Sequence, residues 1–507
     1  MPHDASKLGI KSNYRGGELF FVRYNTEMIR AYSSSFLMPL LSALLLSLSL
    51  PWVGFSYLVW VALIPLFLFI FDERTTKMTL IAYSCAALFI YNLAAVFPLF
   101  FVSGAWWAGT HELNRLLHEN MQYSIGVITT ALWRTIIFIP FILFARRSHK
   151  SQYGLLLTPL VWVVLELVCA NYGLWGYSIG VLGYSGGAMP AIKYLAILGG
   201  VYALSLLFVS VNIVIAELLR HDGGIRAFIR STPASTLLIV AAVFAVLSGY
   251  CLWHTKSSET QTLKVAVIGT TLSTDESISE AGYRSYRTKL ERALETDPEL
   301  VLFPENAFPY FEINESDGTL VGNTLINFPE RDALYADLLS LSRAHSTTTL
   351  AVGLHTRRNK KHYNSIAYIK NGMPVGYYEK RVLVPFTEYA PAGLPIPLAV
   401  RLSPGDSRQQ QDISGITVSG LICSEIAVTN INLNGARLLL APSNDSIFTG
   451  AAAARMHDAA ARIKALEYHV YLLRADKGGL SSIIDPEGNT LASTADGVIT
   501  MDLNIHR

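Results

Sequence analysis

Charge is what this sequence lacks. Asp, Glu, Lys and Arg make up 15% of its 507 residues, against roughly 25% in an ordinary soluble protein. A chain so poor in charge, and 51% hydrophobic, reads as a membrane protein. Cysteine is scarce as well. Cys85, Cys169 and Cys251 lie in long apolar segments, and Cys423 stands apart. There is no CxxC and no Cys/His cluster, so neither a disulfide framework nor a zinc site is expected. No metal or other cofactor is expected either. The net charge of +2 includes no long basic run, which argues against a nucleic-acid partner.

What is present falls into two textures. Up to about residue 255 the chain is mostly apolar stretches separated by short polar loops. A spanning helix needs roughly 20 mainly apolar residues. About seven stretches qualify: 34–50, 55–71, 78–102, 121–145, 154–171, 193–217 and 235–253. Pro51, Trp52 and Gly54 make the tight link between the first two. Glu166 is a carboxylate within the fifth span, near its end, where a packing role is the expectation. Residues 1–33 are a basic arm rather than a cleaved signal peptide. They carry Lys7, Lys11, Arg15, Arg23 and Arg30. Arg74 and Lys77, then Arg146, Arg147 and Lys150, then Arg220, Arg226 and Arg230 follow the second, fourth and sixth spans. The opposite loops are nearly bare of such residues, with Arg115 their basic side chain. This distribution predicts a cytoplasmic N-terminus. An odd number of spans then places the second half outside the cytoplasm, in the periplasm of a double-membrane bacterium. Trp106 and Trp107 fall in an outward loop and read as interfacial anchors.

The polar stretch TKSSETQT (255–262) marks the change of texture. From 262 to 507 apolar runs shrink to strand length and alternate with helical periodicity. Strands are predicted at 263–268, 299–304, 348–354, 416–423 and 437–442. Helices are predicted at 281–296, 330–344 and 450–469. Asn371-Gly372 signals a two-residue hairpin turn, and Asp485-Pro486-Glu487-Gly488 another turn. The pattern is α/β with a mixed sheet.

Three polar residues stand at the ends of apolar strands: Glu305 after VLFP, Lys380 after GYYE and Cys423 after TVSGLI. Strand ends are where α/β folds place ligands and chemistry. Taken singly, each has an ordinary reading. A lone Cys is usually core, and a lone Glu or Lys usually solvated. Together they are chemically coherent. A carboxylate accepts a thiol's proton, and a lysine favours the anions and an oxyanion. Such a trio performs acyl transfer through a thioester. The nearby apolar residues Phe308, Tyr310, Phe311, Val384, Pro385, Phe386, Ile447 and Phe448 suit either loop packing or a lipid-facing surface.

These pieces carry a resemblance. FPENAFP around Glu305, YYEKRVLVPFTEYAP around Lys380 and GLICSEIA around Cys423 resemble the nitrilase, or carbon–nitrogen hydrolase, superfamily. That resemblance implies a Glu–Lys–Cys triad on a four-layer α/β/β/α sandwich. The fold expected for the whole chain is therefore a polytopic α-helical membrane domain (34–255) followed by a nitrilase-like sandwich (262–507). Within the superfamily the chain resembles the apolipoprotein N-acyltransferases, through KRVLVPFTEYAP, GYSIGVLGYS (176–185) and LEYHVYLLRADKGGLSSIIDPEG. The resemblance implies that Cys423, with Glu305 as base and Lys380 at the oxyanion, takes an acyl chain from a phospholipid. It passes the chain to the amine of a diacylglyceryl-cysteine on a lipoprotein. Glu388 and Glu425 would hold the site or assist proton traffic. The implied setting is the bacterial inner membrane, with phospholipid, lipoprotein and the bilayer as partners.

The sequence also departs from the family pattern. VIGTTLSTDESISEAGY and NDSIFTG lack the usual tryptophans, Ser424 replaces an aromatic, and MDLNIHR is reached without a further apolar segment. A membrane-anchored nitrilase-type amidase, or an acyltransferase with another amine acceptor, is the alternative reading. A transport or assembly protein with an inactive nitrilase-like domain is a third, disfavoured by the intact trio.

Overall fold

A computed structural model describes residues 33–99, 112–151, 153–172, 178–190, 192–220, 249, 260–321, 328–385, 387–389, 401–406, 410–428, 431–433, 435–448 and 450–506. The basic arm, the expected span at 235–253 and the Trp106-Trp107 pair lie outside the described residues, apart from Ser33 and Gly249.

The first half is a bundle of apolar helices: α1 Leu37–Leu48, α2 Ile64–Phe71, α3 Lys77–Val96, α4 Glu112–Ile137, α5 Ile139–Ser148, α6 Gly154–Tyr172 and α7 Ala196–Arg220. Among the described residues, four segments are long and apolar enough to cross a membrane: Lys77–Val96, Ser124–Ser148, Gly154–Tyr172 and Lys193–Arg220. Leu37–Leu48 and Ser56–Phe71 are shorter apolar helices. The stretch read as one helix over 121–145 is divided at Phe138, with Pro140 in the first turn of α5, a position proline tolerates because its missing N–H would be unpaired there anyway. The stretch at 193–217 bends at Gly199 and Gly200, whose backbone angles are non-helical.

The two ends of α7 meet different neighbours. Its C-terminal Arg220 donates to Phe71 O at 2.9 Å, and Arg146 donates to Ile70 O at 2.7 Å. Both arginines thus satisfy carbonyls that the end of α2 leaves open. At the other end, a carbon placed on Gly200 would lie 3.0 Å from the Glu467 carboxylate of the second half. Twenty residues at 1.5 Å each separate these ends by about 30 Å, the thickness of a bilayer's hydrocarbon core.

The second half is a four-layer sandwich. One sheet runs β13-β1-β2-β4-β5-β6, with β3 beside β4. Its strands are β1 Thr260–Gly269, β2 Leu300–Leu302, β3 Glu312–Asn314, β4 Thr349–Arg358, β5 Lys361–Lys370, β6 Met373–Glu379 and β13 Gly497–His506. The other runs β12-β11-β10-β9-β8-β7, made of β7 Gln411–Ile413, β8 Ile416–Gly420, β9 Leu438–Asn444, β10 Tyr471–Lys477, β11 Ser481–Ile484 and β12 Thr490–Thr494. Strand alternation builds the layers. Leu263, Val265 and Val267 of β1 face Leu438, Leu440 and Leu473 between the sheets. Ala266 and Ile268 face outward against Tyr283, Tyr286 and Leu290 of the helix Glu280–Leu294 (α9), which follows the single turn Thr274–Ser277 (α8). The helix Arg331–Ala344 (α10) joins that outer layer through Tyr335 and Leu338. On the far side Leu439, Ala441, Leu472 and Ile484 pack against the helix Ala452–Tyr468 (α11), and the same apolar core continues into the membrane helices.

The hairpin at Asn371-Gly372 forms as its sequence predicts. Both residues have positive φ, +50° and +73°, the geometry of a type I′ turn. Gly488 closes the other predicted turn by donating to Asp485 O at 2.9 Å. Phe308, Tyr310 and Phe311 correct the lipid-facing option. They are buried in the aromatic core under α9 and α10. Phe386 lies outside the described residues.

Candidate active site

Glu305, Lys380 and Cys423 come from three separate strand ends and are brought into one buried cluster. Glu305 follows β2. Phe303 donates to Ala351 O, and Ala307 donates to Gly353 O at 2.9 Å, so the segment lies flat on β4. Gly353 makes this possible: a Cβ there would sit 2.1 Å from Pro304 O and 2.8 Å from Glu305 Cα. Lys380 leaves the end of β6, its N–H donating to Asn364 O at 2.8 Å. Cys423 opens a short 3₁₀ turn, Cys423–Ala427, two residues beyond the point where Leu421 donates to Leu440 O.

The Lys380 ammonium lies 3.0 Å from Glu388 Oε1 and 3.7 Å from Glu305 Oε1. Asn364, on β5, donates through Nδ2 to both carboxylates, at 2.7 Å to Glu305 and 2.9 Å to Glu388. The second oxygen of Glu388 accepts the Val384 N–H at 2.7 Å. Two carboxylates are thus oriented by one amide and one ammonium. Lys380 is 1% exposed and Glu305 6%, so the cluster works in a medium where charge interactions are strong. Burial pushes the Cys423 thiol well above its ordinary value, the Glu305 charge adds to this, and Lys380 pulls the other way. The thiol therefore needs a base rather than ionising by itself.

Cys423 is also held in an uncommon backbone conformation, φ +51°, and Asn306, directly after Glu305, has φ +48°. Left-handed backbone at residues other than glycine costs of order 1 kcal/mol or more and persists where surroundings over-determine it. Glu425 supplies part of that determination. Its carboxylate accepts from the N–H groups of Ile422 at 2.8 Å, Arg381 at 2.7 Å and Val382 at 3.1 Å. It also accepts from the Tyr378 hydroxyl at 2.9 Å. Burial raises the Glu425 pKa. Glu425 therefore ties the cysteine turn to the lysine loop and is saturated with donors, which suits holding the site rather than moving protons. Tyr378 reaches it by lying over Gly420, where a Cβ would be 2.4 Å from the ring.

The membrane half grips the same turn. Ser178 donates from its backbone N–H to Ala427 O at 3.0 Å, and its hydroxyl donates to the same oxygen. Ser178 belongs to a loop seated on the helices. Tyr91 OH donates to Gly180 O at 2.9 Å, Leu182 N–H donates to Glu166 Oε1 at 2.9 Å, and Gly183 N–H donates to Ser205 Oγ at 2.8 Å. Glu166 thus has the structural role its place near the span end suggests. Lys193 adds a further link, donating to Glu487 O at 2.6 Å and Asn489 Oδ1 at 2.5 Å.

A second charged cluster went unread in the sequence. Asp445 pairs with His457 at 2.7 Å and with Arg474 at 2.5 Å, and Arg474 also pairs with Asp476. Burial acts to raise Asp445, but His457 and Arg474 hold it below the usual carboxylate range. Burial drives Asp476 well above that range. Asn364 was missed too. The signal for it is a polar amide inside HYNSIAYIK, in a strand that is otherwise buried and apolar at its centre.

A profile described as Apolipoprotein N-acyltransferase N-terminal domain matches residues 42–214, and one described as Carbon-nitrogen hydrolase matches residues 264–507. The chain belongs to the apolipoprotein N-acyltransferase family. The Apolipoprotein N-acyltransferase of Geobacter metallireducens is 25% identical over 90% of this chain and 87% of its own length. That of Coxiella burnetii is 24% identical over 78% and 80%. Among solved structures, a branch 10 member of the nitrilase superfamily from Saccharomyces cerevisiae is 20% identical, with a TM-score of 0.37, and covers 48% of this chain and 90% of that one. The chain is thus an N-acyltransferase-family enzyme of the carbon–nitrogen hydrolase superfamily with a transmembrane first half.

Proposed function

We propose that this chain moves an acyl chain from a membrane phospholipid to the terminal amine of a diacylglyceryl-cysteine on a lipoprotein, through a thioester on Cys423. The observation that carries the reading is the convergence of Glu305, Lys380 and Cys423 on a turn that a membrane-half loop holds through Ser178.

In the first step Glu305 takes the thiol proton as the sulfur attacks the ester carbonyl. The oxyanion faces Lys380 and a backbone N–H after the cysteine, the donors such an intermediate requires. The ester C–O bond breaks, Glu305 returns the proton to the departing oxygen, and lyso-phospholipid leaves. In the second step the lipoprotein amine attacks the thioester. Glu305 takes a proton from nitrogen, the C–S bond breaks, and the sulfur is reprotonated. Glu388 and Glu425 position Lys380 and the cysteine turn. A bilayer location follows from the substrates: each acyl methylene drawn from lipid into water costs ~0.8 kcal/mol. The distribution of basic residues between the loops supports a cytoplasmic N-terminus in a bacterial inner membrane, with the sandwich on the periplasmic side.

The test is incubation of the full-length protein in membranes with phospholipid labelled in its acyl chain. The expected result is label on the wild type that hydroxylamine removes, none on Cys423→Ala, and transfer to an added diacylated lipopeptide. Unlabelled wild type beside a labelled control acyltransferase would overturn the thioester. Labelled enzyme that releases only free fatty acid, with lipopeptide present, would favour hydrolysis over transfer.

A further inference from the structure

One buried cation has no part in the scheme above. Lys477 ends β10 with its side chain fully buried. Its neighbourhood is the seam between the two sheets. Thr270, at the end of β1, bridges Lys477, and Gly478 N–H donates to Thr270 O at 2.7 Å. The Lys477 Nζ donates to Asn306 O at 2.7 Å and to Ser277 Oγ at 3.1 Å. Asn306 is the left-handed residue that directly follows Glu305. Among the described residues, the charged group that acts on Lys477 is Glu305. The elements packed around it present neutral groups: Thr270 from β1, Asn444 as its register partner on β9, and Ser277 from α8.

We propose that Lys477 is a positioning residue for Glu305, clamping the Asn306 carbonyl from behind so that the left-handed turn aims the carboxylate at Cys423. The proposal rests on Glu305 being the base. An ammonium donor makes a stronger bond to a carbonyl than a neutral donor, and here it holds a conformation that the backbone resists. Burial lowers the amine to about 7, while the Glu305 charge acts to raise it. The clamp is therefore charged in mildly acidic solution and neutral in mildly alkaline solution. This gives the device a signature that a merely space-filling lysine lacks.

The experiment measures the single-turnover acylation rate of full-length protein in mixed micelles, with a fluorescent phospholipid, from pH 5.5 to 9. Lys477→Met is expected to acylate about tenfold more slowly than wild type at the acid end, the scale of a misaimed catalytic group. Its phospholipid KM should stay within twofold. The deficit should shrink as pH rises, because the wild-type clamp loses its charge. Lys477→Arg should hold its rate relative to Lys477→Met across the range. A deficit that is constant with pH, with Arg no better than Met, would overturn the proposal. Lys477→Gln, which keeps a neutral donor, is read by the same criterion should the Met variant fail to fold. Glu305→Gln separates the two levels. If it abolishes acylation while the Lys477 deficit is flat, only the clamp falls. If it acylates normally, the base reading falls and the clamp with it.

Discussion

Two clusters of charged side chains are buried close together in the sandwich, and they follow opposite rules. Around Cys423, two carboxylates share one ammonium and one amide, beside a thiol whose proton burial makes hard to remove. Around Asp445, His457, Arg474 and Asp476 face one another. The first cluster keeps a thiol in a left-handed turn. The second closes on itself, and its charge is used up in holding β9, β10 and α11 together. The lesson is that burial of charge alone does not mark chemistry. On the proposed reading, an incompletely neutralised group beside a thiol does.

Substitutions can separate the two clusters. Cys423→Ala should lower acylation by about a thousandfold or more while the unfolding temperature in detergent stays near wild type. An equal loss of stability would erase the contrast. Arg474→Met should do the reverse. It leaves Asp445 and Asp476 facing each other, and removing one partner of a buried pair costs about 3–5 kcal/mol. Low accumulation in membranes and a depressed melting temperature are expected, and wild-type stability would show that the second cluster is not structural.

A smaller effect concerns His355, buried on β4 near Glu388, where burial lowers its pKa to about 4 from 6.5. Between these values the unfolded chain carries the proton and the folded one does not. Stability should therefore fall as pH drops from about 6.5 to about 4 and level off below, on the order of 3 kcal/mol in all. His355→Asn should make the melting temperature less steep over that window by about one proton's worth; an unchanged slope would refute the assignment. The smallest effect tests the strained turn. Cys423→Gly should be as inactive as Cys423→Ala but more stable by about 1 kcal/mol, since only glycine adopts φ +51° freely. Denaturant midpoints of the two variants measure it.

The trio was legible because each residue interrupts an apolar run where a strand ends, a local signal. Asn364 and the Asp445 cluster were not, because their meaning lies in partners across β5 and β10, which spacing along the chain does not reveal. The hairpin at Asn371-Gly372 was read from two residues. By contrast, β13 pairs with β1 from Thr260↔His506 to Gly269↔Gly497, a contact between stretches more than two hundred residues apart in the chain. The aromatics Phe308, Tyr310 and Phe311 show the opposite limit. Their composition suits a lipid contact, but the core beneath α9 and α10 claims them.

α11 belongs to two cores at once. One side covers β9 and β10, and on another side Ile463 lies so near Gly187 of the membrane half that a Cβ on that glycine would be 3.0 Å from the Ile463 side chain. A soluble version of the sandwich, cut loose before Thr260, would therefore carry a naked greasy flank and a cysteine turn without its Ser178 bond. Co-expressed halves, conversely, should find each other without a peptide link. The helices of the first half are a partner subunit that happens to be written into the same gene.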